Sequence, residues 1–183
     1  FMKYPNAACK DKSDESYIGM HKHGVLTTEK GVLDKVHEAC GLPVVDGAVV
    51  RHPLAFLMEA ADSICYLTMD IEDGLKKNLL TLSNIKEGFE NLRKENGVEF
   101  DESAKNLFDA IEREAEDRFG NSRKQILNLR TYLMGYLIDL ALKNFINNIE
   151  SIEKGTYKQE LIKDDSNGIA KALGEICKQY ILD

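Results

Sequence analysis

Apolar residues recur every three or four positions through most of the chain, the spacing that gathers them on one face of an α-helix. Val32, Leu33, Val36 and Ala39 outline the first such face, in a helix capped by Thr27 or Thr28 and ended after Cys40 by Gly41 and Pro43. Val44 to Val50 reads as a short connector. A second helix begins near Pro53, a residue suited to a first turn, and runs without a breaker to about Leu79, with Gly74 tolerated near its end. Ser83 caps a third helix reaching Glu95, and Asp101 or Ser103 opens a fourth reaching Phe119, which Gly120 stops. Asn121 or Ser122 starts a long apolar helix to about Ile149. Its stripe of Ile126, Leu129, Leu133, Tyr136, Leu137 and Leu140 suits a core or a subunit interface. Gly168 to Ile181 forms a last amphipathic helix. Residues 6–24 show no period and read as a long loop, a feature often functional in compact proteins. No alternating run exceeds Gly47 to Val50, so the fold class is all-α.

The second helix carries the most unusual pattern. At about 100° per residue, Glu59, Asp62, Tyr66, Asp70 and Asp73 fall within a wedge of roughly 80°. Leu54, Leu57, Met58, Ala61, Ile64, Cys65, Thr68 and Ile71 occupy much of the rest. An acidic stripe on an apolar helix needs water, a cation or polar partners, because an unpaired buried carboxylate is costly. A narrow solvated face satisfies that need and is the common case. Against it, Glu59 to Asp70 contains no Lys or Arg, although exposed helices normally interleave cations one turn from their acids. A tyrosine with an aspartate one turn to either side also suits a ligand, offering an aromatic plane between acceptors.

Composition narrows the classes. Apolar residues make up 43% and charged residues 30% of 183, as in ordinary globular proteins. The net charge of −7 argues against broad attraction to nucleic acid, while leaving room for a local phosphate pocket. No apolar run approaches the length that crosses a bilayer. Phe1 to Pro5 lacks the basic and apolar regions of a signal peptide, and reads as the continuation of a longer chain. Cys9, Cys40, Cys65 and Cys177 are widely spaced with no CxxC, so neither disulfides nor a zinc site is expected. A cytoplasmic setting is the expectation. Cys40 and Cys65, inside helical patterns, are expected to be small buried hydrophobes.

Three segments together resemble a known family. Arg51-His52-Pro53-Leu54 through Glu59-Ala60-Ala61-Asp62-Ser63-Ile64-Cys65-Tyr66 and Asp70-Ile71-Glu72-Asp73-Gly74 resembles the RHPL…EAADDICY…DLEDG segment of bacterial dGTPases, members of the HD superfamily. Phe1-Met2-Lys3-Tyr4-Pro5 resembles their FLKYP, and Lys22-His23-Gly24 ahead of Thr28-Glu29-Lys30 resembles their KFG…SEKE. The match keeps order and spacing over about 75 residues, and the remaining helices fit only generically.

The resemblance implies an incomplete, C-terminal part of an HD-type phosphohydrolase. Residues 1–80 would belong to the catalytic core, with a phosphate-binding loop and a metal- and sugar-binding helix, and 81–183 would form a C-terminal helical region. It implies that Asp62 is the last ligand of a divalent metal, Mg or Mn. Tyr66 would pack under the deoxyribose, where a 2′-hydroxyl is crowded out, and Asp70 would accept a hydrogen bond from the 3′-hydroxyl. Lys3, Tyr4 and Lys22 would contact the triphosphate. The implied reaction is metal-dependent hydrolysis of a dNTP, dGTP favoured, to a deoxynucleoside and inorganic triphosphate. The implied assembly is a homo-oligomer, often a hexamer; no membrane is expected, nucleic acid is not expected as a substrate, and an effector role for it stays open. Ser63 departs from the family's usual second aspartate, but Asp62 keeps the ligand position.

One departure is larger. His21, His23, His37 and His52 are never followed by Asp, so the family's His-Asp doublet and general acid/base do not occur in this sequence. No catalytic residue is assigned within the chain, which alone is expected to be inactive. Two other readings remain open: a catalytically silent helical module for regulation or assembly, and an HD phosphohydrolase for another nucleotide. Among weaker signals, His21 and His23 suit exposure better than a metal clip, and His52 suits a helix cap. Arg123, Lys124 and Arg130 read as a basic, solvated helix start.

Overall fold

The computed structural model describes residues 3–7, 23–45, 48–97, 99–117 and 122–182. Among them are seven α-helices: α1 (Lys30–Ala39), α2 (Pro53–Lys76), α3 (Leu82–Asn96), α4 (Glu102–Glu116), α5 (Ser122–Asn147), α6 (Ile149–Glu153) and α7 (Ile169–Cys177). The all-α expectation holds. One addition is a two-stranded antiparallel hairpin, β1 (Val44–Val45) with β2 (Ala48–Val49), where a plain connector was expected. Strands of two residues are too short to announce themselves by alternation. Among the described residues no helix is long and apolar enough to cross a membrane.

The helix ends follow local chemistry. Thr81, rather than Ser83, caps α3: its hydroxyl accepts from the Asn84 amide at 3.2 Å, and the Asn84 side chain accepts from the Thr81 amide at 2.8 Å. This reciprocal pair satisfies two amides that the helix start leaves over. Asp101 caps α4 by accepting from the Ala104 amide at 2.9 Å. His52 does act as a cap, its Nδ1 accepting from the Leu54 amide at 3.2 Å ahead of α2.

The chain divides into two compact units. The first comprises Phe1–Ala61 and Ala141–Asp164. Val50, Ala55, Phe56, Ile152, Tyr157, Leu161 and Ile162 are buried within it. The Phe56 and Tyr157 rings meet edge to face at 5.8 Å. Gly155, at φ +72°, leaves no room for a side chain: a Cβ there would stand 2.2 Å from a Val50 methyl.

The second unit comprises Asp62–Leu140 and Asp165–Asp183. Here α3 packs on α4 and on α7, and the approach to α7 is close enough that a Cβ on Gly88 would meet Ile176 at 2.8 Å. Leu129, Leu133, Tyr136 and Leu137 of α5 are buried, and Ile126 and Leu140 half-buried, as their spacing predicts. Asn167 is buried at the centre of a polar cluster. Its Oδ1 accepts from the Asp101 amide at 3.1 Å and its Nδ2 donates to the Tyr136 hydroxyl at 3.1 Å. That hydroxyl in turn donates to Asp165 at 3.1 Å. Burial first, and then the Asp165 charge, push the Tyr136 pKa well up, so the phenol stays a donor. Replacing Asn167 by Leu takes a partner from the Asp101 amide and leaves the Tyr136 hydroxyl with Asp165 alone. The expected cost is about 2–4 kcal/mol, read as a lowered melting temperature of this unit.

Candidate functional site

Lys3 and Tyr4 are held by a buried ion pair. Arg51 stands two residues before α2 with its side chain wholly buried, and Glu59 sits two turns into the helix with its side chain only 7% exposed. The Arg51 Nη1 donates to Glu59 Oε2 at 2.8 Å. Its other donors reach backbone oxygens, Nε to Lys3 at 3.1 Å and Nη2 to Ala55 at 3.3 Å. The guanidinium also lies 4.5 Å from the Phe56 ring centroid and 5.7 Å from that of Tyr4. A buried charge requires this saturation, since desolvation otherwise exceeds the attraction gained.

Glu59 collects the rest. The Tyr4 hydroxyl donates to its Oε1 at 3.3 Å, and the Lys3 ammonium stands 3.7 Å from the same oxygen. Burial, and then the Glu59 charge, raise the Tyr4 pKa, so the phenol stays protonated at neutral pH. The Lys3 side chain keeps 23% of its surface exposed, whereas that of Arg51 is wholly buried. Backbone contacts fix the segment further: Gly24 donates to the Asn6 carbonyl at 2.9 Å, and Ala7 pairs with Val25 in an isolated parallel bridge. A Cβ on Gly24 would stand 1.9 Å from the Tyr4 carbonyl oxygen, so only glycine permits this approach.

The remaining predicted residues lie along α2, a turn apart: Asp62, Tyr66 and Asp70. Asp62 is exposed, Asp70 is half-buried and Tyr66 is 66% exposed. Lys22 lies outside the described residues. The structure therefore joins Lys3 and Tyr4 through Glu59 in the first unit, while Asp62, Tyr66 and Asp70 fall in the second. The acidic stripe resolves into different environments. Glu59 is buried with its cation supplied from before the helix, which explains why none is needed within it. Glu72, beside the stripe, pairs with Arg130 at 2.8 Å and also with Lys76, and these contacts hold its pKa below the usual range, the Lys76 hydrogen bond most of all. Part of the expected basic patch is thus already matched to an acid. Cys65 is exposed rather than buried, and Leu54 and Met69 on the same helix are exposed as well. Cys40 is exposed as well, at the C-terminal cap of α1.

Asp62 by itself is a single carboxylate donor. Among the described residues no group of three His, Cys, Asp or Glu side chains could hold a metal ion. The described residues therefore do not by themselves make a metal centre.

A helical chain with a Lys-Tyr segment tied to a buried ion pair, and with an acid-tyrosine-acid line on one helix, is the class that fold and residues define. No family model matches the chain. A deoxyguanosinetriphosphate triphosphohydrolase-like protein of Listeria monocytogenes is 28% identical over 167 residues, covering 90% of this chain and 33% of that protein. The deoxyguanosinetriphosphate triphosphohydrolase of Serratia proteamaculans is 29% identical over 157 residues, 80% of this chain and 28% of its own length. A triphosphohydrolase-like protein of Pseudomonas aeruginosa reaches 43% identity over a shorter stretch of 67 residues. Over most of its length the chain is related to deoxyguanosinetriphosphate triphosphohydrolase-like proteins, and it spans about a third of the length of the curated relatives it matches.

The Arg51–Glu59 pair makes a clear prediction. Arg51→Ala leaves the Glu59 carboxylate buried without its cation and is expected to cost about 3–5 kcal/mol. Replacing both residues by apolar ones of similar volume is expected to cost less than either single change. A melting-temperature cycle over the four proteins checks this, and simple additivity would contradict it.

Proposed function

We propose that this chain forms part of a metal-dependent dNTP triphosphohydrolase, dGTP favoured, in which residues 1–80 contribute to the catalytic core. The observation that carries the reading is the line of Asp62, Tyr66 and Asp70 along α2, with Tyr66 presenting two-thirds of its surface outward. The relatives named as triphosphohydrolases over 80–90% of the chain support it.

In this reading Tyr66 offers its ring to the deoxyribose and leaves no space for a 2′-hydroxyl, while Asp70 accepts from the 3′-hydroxyl. Selection by exclusion and selection by hydrogen bonding then act on neighbouring edges of one sugar. Lys3, Tyr4 and Lys22 contact the triphosphate, the two lysines placing positive charge against it, and the Tyr4 hydrogen bond to Glu59 keeps that segment in place. Asp62 would supply one ligand to a divalent ion, Mg or Mn, whose other ligands would come from outside the described residues; bound there, the ion would acidify and position water and offset phosphoryl charge. Water attacks the α-phosphorus, the bond to the 5′-oxygen breaks, and that oxygen leaves with a proton as the deoxynucleoside. The site's setting is proposed to be a cytoplasmic homo-oligomer. Leu127 and Ile138, exposed on α5 within the second unit, suit a subunit contact.

The roles separate on substitution. In the full-length protein Tyr66→Ala is expected to relax discrimination between dGTP and GTP by about 10- to 100-fold, as a lost steric contact does. Asp62→Asn, at an exposed position, should remove turnover while leaving the melting temperature within about a degree. Unchanged sugar selectivity in Tyr66→Ala rules out the tyrosine's assigned role. Full activity in Asp62→Asn rules out the ligand.

A further inference from the structure

Helix α5 carries a second pattern, on the side away from its buried stripe. Arg123, Leu127, Thr131, Gly135 and Asp139 follow one another at intervals of four, and all five are exposed. They lie together in the second unit. Spacing of four sets them in a single row inclined across the helix surface, a ridge of the kind that packs beside the same ridge of another helix. Leu127 keeps 56% of its surface exposed, and Ile138, beside the row, keeps 42%. The row is also graded in charge, with a guanidinium at one end and a carboxylate at the other.

The middle of the row is where its own chain gives the least reason for the residue chosen. A glycine inside an exposed helix weakens that helix relative to alanine. Gly88 and Gly155 are kept small by neighbours, which an added Cβ would meet at 2.8 and 2.2 Å. At Gly135 no atom of the described residues would come within 4 Å of such a Cβ. A glycine open on this side, two turns from an exposed leucine, suits the close approach of another helix. Thr131 stands between them, and its hydroxyl donates to the Leu127 carbonyl at 2.9 Å, so it needs no partner from across a contact.

We propose that α5 packs against α5 of a second copy of this chain, antiparallel, about a two-fold axis at Thr131. Such symmetry uses one patch twice. It sets Leu127 over Gly135 of the second copy, where the missing side chain makes room, and Arg123 beside Asp139 of the second copy. A crossing near −50° keeps the two rows side by side along their length. The contact sharpens the homo-oligomer proposed above and is independent of the reaction. Sedimentation equilibrium of the full-length protein over a wide concentration range tests it. Gly135→Leu adds bulk that only a second copy would meet. It should raise the dissociation constant more than about tenfold without lowering the melting temperature of the dissociated protein. Arg123→Asp and Asp139→Arg each bring like charges together and should each raise it about tenfold. The double variant exchanges the charges and should return it to within about threefold of the unsubstituted protein. Thr131→Cys, with Cys9, Cys40 and Cys65 replaced by serine, should link two copies on oxidation, and it decides alone where another variant melts early. The contact is overturned if Gly135→Leu associates as tightly as before, if the double variant is no tighter than the single ones, or if Thr131→Cys forms no link. Copies that still associate then do so through another surface, whereas a protein monomeric throughout overturns the homo-oligomer as well.

Discussion

The buried contact between Arg51 and Glu59 is the constraint on which the first unit's polar architecture depends. A guanidinium and a carboxylate withdrawn from water must exhaust their hydrogen-bonding capacity on protein groups. Here that demand reaches the Lys3 and Ala55 carbonyls, the Tyr4 hydroxyl and the Lys3 ammonium. One ion pair thereby ties the Lys-Tyr segment to the first two turns of α2. Lys3 and Tyr4 are consequently placed by an acid 55 positions along the chain from the tyrosine, and the adjoining strand segment can approach only because residue 24 is glycine.

The same pair changes the meaning of the acidic stripe. Five side chains share one wedge of the helix, but they do not share an environment. Glu59 is spent on structure, whereas Asp62 and Tyr66 face outward beside Leu54, Cys65 and Met69. An exposed face that mixes acid, aromatic and apolar groups is poorly suited to bulk water, and the proposed sugar contacts of Tyr66 and Asp70 would cover part of it. That mixture, more than the count of carboxylates, favours the nucleotide reading over a solvated face.

Much of the fold was legible because long helices with apolar stripes leave a period strong enough to read. The α5 stripe of Leu129, Leu133 and Leu137 is buried as its spacing requires. Features that depend on few residues or distant partners were not legible. The hairpin of Val44–Val45 with Ala48–Val49 is too short for alternation to register. Thr81 takes the α3 cap because Asn84 completes the reciprocal bond, and Asn is a less obvious partner than Glu at that distance. Cys40 and Cys65 lie in apolar periods yet face outward, since a period fixes which residues share a face without fixing which way that face turns. The Arg51–Glu59 pair left only a faint trace, a stripe with no cation of its own preceded by an arginine at the helix start. The imidazole of His37, buried with no hydrogen-bond partner among the described residues, left none, because burial without a partner is a property of the folded chain alone.

The central claim concerns a reaction, and the products distinguish it from every neighbouring phosphohydrolase chemistry. Phosphorus NMR of dGTP turned over by the full-length protein with Mg or Mn reads them directly. Attack at the α-phosphorus predicts inorganic triphosphate and deoxyguanosine in equal amounts. Pyrophosphate with dGMP, or single phosphate with dGDP, would contradict the account.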